Sequence, residues 1–201
     1  MKKKSGRPKH PVSDAVILEV ATRHFASGGF AAARLDAIAA DVGITKSSLL
    51  ARCKSKARLY RRVLLDLIDA ISERVNALLT TERLEQDDFA FLVDELLVEL
   101  VVFFGKSPPA ARLLLRELLD EGDVYQAGAK AALDGVLQSA AGAFARHVDD
   151  DVDAHQLVLT IASALVTPAA LPAVAASLVG DVDDKARATA LQQQVRAMAK
   201  W

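Results

Sequence analysis

Ile38-Ala39-Ala40-Asp41-Val42-Gly43-Ile44-Thr45-Lys46-Ser47-Ser48-Leu49 is the stretch on which the reading of this chain turns. Two short amphipathic segments, about 35–42 and 46–52, meet at Val42-Gly43-Ile44-Thr45. A tight turn between two helices needs a residue that tolerates positive φ, and Gly43 supplies it. Thr45 is a good N-cap for the second segment. Ile38, Ala39, Ile44 and Leu49 are spaced to face one core, and Phe25 and Phe30 offer the aromatic bulk against which the pair packs. Lys46, Ser47, Ser48, Ala51 and Arg52 then point outward. This is the pattern of a helix-turn-helix, whose second helix enters the major groove of DNA with its N-terminal residues against base edges.

Working outward, a first helix begins near Ser13 or Asp14, with Ile17, Leu18, Ala21 and Phe25 at helical spacing, and Gly28-Gly29 is expected to end it. Ser55 can cap a long helix over about 56–79, marked by the stripe Leu59, Val63, Leu64, Leu67, Ile71, Val75 and Leu78. Further helices are expected over about 88–104, 108–121, 123–147, 152–166 and 184–200, with Pro168 and Pro172 breaking up a small apolar segment between the last two. No period-2 run of strand length and no internal repeat occurs. The expected fold is all-α, with about nine helices: a three-helix N-terminal domain followed by a larger helical domain. Its divisions are a basic flexible arm over 1–12, a helix-turn-helix domain over 13–62 and a helical effector-binding and dimerisation domain over 63–201.

Charge points the same way. The 201 residues carry a net charge of only −1. Residues 1–62, however, hold 14 Lys/Arg against 4 Asp/Glu, whereas the rest hold 11 against 22, so +10 faces −11. Such asymmetry implies an anionic partner for the first segment. The arm Lys2–Pro11, rich in Lys and interrupted by Gly6, Pro8 and Pro11, is expected to be disordered in the free protein and resembles no secretory signal. A single cysteine excludes an internal disulfide framework and fits a reducing cytoplasm, and no stretch approaches the roughly 20 uncharged residues of a membrane span. There is no nucleophile elbow, phosphate-binding glycine loop, HExxH or paired-cysteine motif, so an enzyme is not expected.

Taken with the opening stretch, Phe25-Ala26-Ser27-Gly28-Gly29-Phe30 and Ser55-Lys56-Ala57-Arg58-Leu59-Tyr60 resemble, at fixed offsets, the DNA-binding domain of the tetracycline-repressor (TetR) family. The resemblance implies a bacterial, homodimeric transcriptional regulator that binds a near-palindromic operator on double-stranded DNA and is released by a small molecule. Its C-terminal helices would form the ligand pocket, and the last two long ones a four-helix dimer bundle. Lys46, Ser47 and Ser48 are the candidate base contacts. Arg34, Thr45, Arg52, Lys54 and Lys56 are the candidate phosphate contacts, and Lys4, Arg7 and Lys9 a candidate minor-groove arm built on Gly6-Arg7-Pro8.

Two departures from the family pattern matter. Ala33-Arg34 stands where Thr-Thr or Thr-Ser is usual, which removes a cap worth about 1 kcal/mol. Leu50-Ala51-Arg52-Cys53 replaces an aromatic-rich segment that often contributes a tyrosine hydroxyl to phosphate and a core phenylalanine; Arg52 is expected to compensate. The alternative reading is an interaction protein whose altered head no longer binds a specific operator.

In the C-terminal part, Leu96, Leu100, Phe103 and Phe104 are expected to line a largely apolar effector pocket, with Arg112 and Arg116 available to an acidic group. Apolar residues on 88–104 and 158–178 serve either pocket or dimer seam, and periodicity does not separate the two uses. His147, His155 and the carboxylates between them have metal-ligand chemistry, but a turn and an acidic helix start explain them as well, and neither metal nor cofactor is expected. Cys53, beside Arg52, Lys54 and Lys56, is either a redox-sensitive thiol or a small core residue, and the second is preferred.

Overall fold

In the computed structural model, residues 12–86, 88–119 and 127–200 are described, so the arm candidates Lys4, Arg7 and Lys9 lie outside them. The described residues form only helices: α1 (Asp14–Ala32), α2 (Leu35–Val42), α3 (Lys46–Cys53), α4 (Lys56–Leu78), α5 (Thr81–Gln86), α6 (Phe89–Lys106), α7 (Pro108–Leu119), α8 (Ala127–Phe144), α9 (Ala154–Ala170), α10 (Pro172–Val179) and α11 (Asp184–Ala199). The fold is all-α, as the sequence predicts. Most starts are set by short polar caps: the side chains of Ser13, Thr45, Ser55, Asp88, Asp153 and Asp183 each accept a backbone N–H from the first turn that follows.

Two helices exceed the nine expected. The short α5 follows Thr80, whose hydroxyl accepts the Arg83 N–H at 3.3 Å. In α10, Pro172 occupies the first turn, where its missing N–H costs nothing, so it starts a helix instead of only interrupting one. Pro168 does not stop α9 either; it lies near the C-terminal end, and the helix continues to Ala170. At the other end of the chain, α1 bends at Gly29 (φ 71°, ψ 179°) and resumes to Ala32 instead of ending there. That φ/ψ combination is open essentially only to glycine.

The hydrophobic core is continuous from the first three helices into the rest of the chain. In the head, Phe25, Ile38, Leu49 and Leu59 are fully buried. Phe25 meets Tyr60 edge-on with ring centroids 4.8 Å apart, and Phe30 leans on the same Tyr60 at 5.2 Å. The boundary expected at residue 62 falls inside α4, which carries Tyr60 in the head and Val75 among the C-terminal helices without a break. Helix α7 packs mainly on α9 and on α1, α8 on α9 and α4, and α11 on α6. Helix α7 is therefore sandwiched between the head and the interior of the C-terminal part.

Candidate nucleic-acid interface

The turn between α2 and α3 is built as its sequence demands. Gly43 is left-handed (φ 80°, ψ 24°), and its N–H reaches Ala40 O at 3.0 Å while Ile44 N–H reaches Ala39 O at 2.9 Å. This pairing satisfies the carbonyls at the end of α2 and aims α3 away from it. Thr45 then starts α3. Its hydroxyl accepts Ser48 N–H at 3.1 Å and lies 2.9 Å from the hydroxyls of both Ser47 and Ser48. A three-hydroxyl fan thus sits at the N-terminus of α3, where unsatisfied N–H groups and the positive end of the helix dipole favour an anion. Lys46, Ser47 and Ser48 are all exposed there.

The cations are less free than their sequence positions suggest. Lys46 Nζ donates to Asp36 Oδ2 at 3.0 Å, and this bond first, with the ammonium charge, holds the Asp36 carboxyl below its usual range. Arg52, expected to reach phosphate, instead donates to Val12 O at 2.5 Å and to Asp14 Oδ1 at 3.3 Å. Asp14 also accepts from Arg62 at 2.9 Å, and that hydrogen bond is the main cause of its lowered pKa. Lys56 Nζ donates to Ala31 O at 3.0 Å while lying 4.8 Å from the centroid of Phe30, which ties the start of α4 to the end of α1. Arg34 occupies the N-cap position of α2, makes no side-chain cap and is exposed, so the missing cap read from Ala33-Arg34 is present in the fold.

Lys54 is in an unusual conformation. Its φ of 67° and ψ of −43° are rare for a residue with a side chain, and Ser55 N–H reaches back to Cys53 O at 2.8 Å, closing a three-residue γ-turn around it. Its Nζ donates to Ala51 O at 3.0 Å, over the C-terminal end of α3. Cys53 beside it is buried, and burial pushes its thiol pKa up, so the neighbouring cations do not make it a reactive thiolate. It fills core space.

The sequence reading missed the carboxylates that organise this face. Asp36 and Lys46 are ten residues apart and meet only because the turn folds α3 back beside α2. Asp14 lies 38 residues from Arg52 and 48 from Arg62, with no local signal to connect them. A further cross-link, His24 Nε2 to Asp41 Oδ2 at 2.8 Å, joins α1 to α2.

The expected effector residues divide. Leu96, Leu100 and Phe104 line an apolar cavity of about 90 Å³ between α4, α6, α7, α8 and α9, with no charged side chain among the described residues of its wall. Phe103 does not line it. It lies at the margin of the stripe on α6, 4.4 Å beneath the Arg74 guanidinium, and borders an open cleft of about 560 Å³ between α1, α4 and the α6–α7 turn. Arg112 and Arg116 are also absent from the cavity wall. Leu114 is the α7 residue that faces it, and positions two before and two after are rotated by about 200°, onto other faces. Arg112 Nε donates to Ala170 O at 3.3 Å, and Arg116 lies against Gly29 of the head. His147 stacks on Phe89, with centroids 4.1 Å apart, and bonds Ala143 O, while His155 pairs with Gln138. The two histidines therefore serve separate contacts.

Residues 17–63 match the family described as bacterial regulatory proteins, tetR family. A protein from Streptomyces coelicolor assigned as a transcriptional regulator has a similar structure, at 26% identity and a TM-score of 0.67, over 92% of this chain and 96% of that one. AibR, solved with isovaleryl coenzyme A and operator DNA, is similar at 15% identity and a TM-score of 0.71, over 92% and 97% of the two chains. The regulator FadR from Bacillus subtilis, solved with stearoyl-CoA, is similar at 14% identity and a TM-score of 0.68, over 91% and 97%. No curated protein matches the chain in sequence.

Proposed function

We propose that this chain, whose residues 17–63 match the tetR family of bacterial regulatory proteins, is a DNA-binding transcriptional regulator and acts as a homodimeric repressor that leaves its operator when a small apolar effector fills a cavity among the C-terminal helices. The observation that carries this reading is the helix-turn-helix itself: within the matched residues, α3 is started by Thr45 and turns Lys46, Ser47 and Ser48 to solvent. Those three read base edges. Thr45, Arg34, Lys54 and Lys56 position the head on phosphates; when DNA arrives, Arg52 exchanges Asp14 for a phosphate and Lys46 exchanges Asp36 for a base edge. The arm residues Lys4, Arg7 and Lys9 follow into the neighbouring minor groove. A two-fold dimer would set two α3 helices about one turn of DNA apart.

The dimer seam is placed on α9, α10 and α11. Leu159 on α9, Leu171 at the α9–α10 junction, and Val174, Leu178 and Val179 on α10 are exposed, and an apolar patch of this kind needs covering. The effector is placed in the cavity lined by Leu96, Leu100, Phe104 and Leu114. At about 90 Å³ it is smaller than the cavity of about 150 Å³ that accepts benzene. It suits a short or branched hydrocarbon group, and the isovaleryl coenzyme A bound by AibR carries one of that class. No single helix among the described residues is long and apolar enough to cross a membrane.

Footprinting the purified protein on DNA flanking its own gene tests the reading. A protected near-palindrome supports it. Binding equal to that on random DNA would instead establish a head that retains phosphate attraction without specificity.

A further inference from the structure

Helix α7 touches both halves of the proposed regulator with neighbouring residues. Leu114 forms part of the cavity wall. Glu117, three residues on, accepts a hydrogen bond from the hydroxyl of Tyr60, the α4 residue on which Phe25 and Phe30 pack in the head. Arg116 lies against the backbone of α1 at its bend: a Cβ on Gly29 would come within 3.2 Å of Arg116 Nη1 and 3.6 Å of its Cδ. The bend itself requires glycine, since φ 71° with ψ 179° excludes a side chain at no strain.

From this juxtaposition we propose that Glu117 and Arg116 are positioning residues that fix the angle of the DNA-binding head, Glu117 through Tyr60 and Arg116 through Gly29. The reading rests on the head being the DNA-binding part and adds which side chains hold it. The arrangement is suited to switching for a specific reason. Arg116 Nε is buried and has no hydrogen-bond partner among the described residues, so the seat on Gly29 carries an unsatisfied donor and is held less firmly than a fully bonded one. A group that enlarges the cavity pushes on Leu114, and α7, being a single rigid helix, carries that displacement to residues 116 and 117 within one turn. The Tyr60 bond and the Gly29 seat then loosen together, and the head moves as a unit because its aromatic core is anchored on the same Tyr60.

The test measures head-to-core distance directly and needs neither operator nor effector. Cysteines placed at Ala40 on α2 and Ser139 on α8, both exposed, take spin labels, while Cys53 is buried; excess unlabelled chain suppresses distances between protomers. Tyr60→Phe and Glu117→Ala should each shift and broaden the distance distribution, and the double variant should add nothing to either alone. Glu117→Gln, which keeps the acceptor oxygen, should restore the narrow distribution. Leu114→Phe, which crowds the cavity, should shift the distance in the parent chain and have no further effect in the Tyr60→Phe chain. If Tyr60→Phe and Glu117→Ala lower the melting temperature but leave the distribution unchanged, the contact is only structural and the proposal fails. It fails equally if Glu117→Gln behaves like Glu117→Ala. A chain that passes this test but gives no specific footprint would keep the head–core linkage and lose the operator, so the two failures are separable.

Discussion

The head and the C-terminal helices are made of similar material, Ala- and Leu-rich amphipathic helices, yet they keep their chemistry in opposite places. In the head the interior is closed and aromatic, with Phe25 and Leu49 fully buried, and the candidate base contacts Lys46, Ser47 and Ser48 stand on the outer face of α3. In the C-terminal part the surface combines the chain's acidic excess with exposed apolar residues of α9 and α10, and the feature of interest is a cavity between helices, walled by Leu96, Leu100, Phe104 and Leu114. The contrast teaches where each half tolerates change. Surface substitutions in the head alter recognition with little effect on folding, whereas interior substitutions in the C-terminal part alter the site and the stability together.

Matched truncations give the largest effects and the most direct way to break that comparison. Phe25→Ala should destabilise the chain by about 3–5 kcal/mol and Leu97→Ala by about 2–5 kcal/mol. Assayed below their melting temperatures, the first should lose specific DNA binding, and the second should keep it while gaining affinity for a small probe such as benzene. Equal loss of DNA binding in both would erase the distinction between the halves.

Arg52→Ala comes next and sharpens the account of the head's surface. If Arg52 exchanges Asp14 and Val12 O for a phosphate, the slope of log affinity against log salt should flatten by about one. Weaker binding at an unchanged slope would mean that Arg52 only anchors the start of α1. Lys54→Gly should stabilise the chain by about 1 kcal/mol by relieving the positive φ, and at the same time weaken phosphate attraction. Opposite signs in thermal melting and DNA titration are the expected outcome.

The smallest effect is a pH dependence at the border between the halves. Burial first, then the nearby carboxylate of Asp69, raises the Asp66 pKa, with Arg62 opposing. An acid held above its ordinary value costs stability when ionised, and the cost disappears as the group protonates. Asp66→Asn should therefore raise the melting temperature slightly at pH 7, with the gain vanishing below about pH 4. A gain that persists at low pH would point to packing instead of charge.

Much of the head was legible because its signals are local. Gly43 and Thr45 act within four residues of themselves, and Ser13 and Ser55 do the same for α1 and α4. The extra helices α5 and α10 were missed because each is short and its start resembles a loop. The effector residues were only partly legible. Periodicity identified α6 and α7 as amphipathic, but it could not say which face meets the cavity: Leu96, Leu100 and Phe104 line it, and Phe103, Arg112 and Arg116 lie on other faces.

The sequence by itself determined the helical class, the helix-turn-helix, the resemblance of residues 17–63 to the tetR family, and the +10 against −11 division of charge, because capping, periodicity and charge are properties of residues close together in the chain. Only the tertiary structure decided which cations are already paired, where the void lies, and that Glu117 holds Tyr60 while Arg116 rests on Gly29. Those facts depend on side chains tens of residues apart meeting in space, and contacts of that range are selected by the packing of whole helices, not by any local pattern.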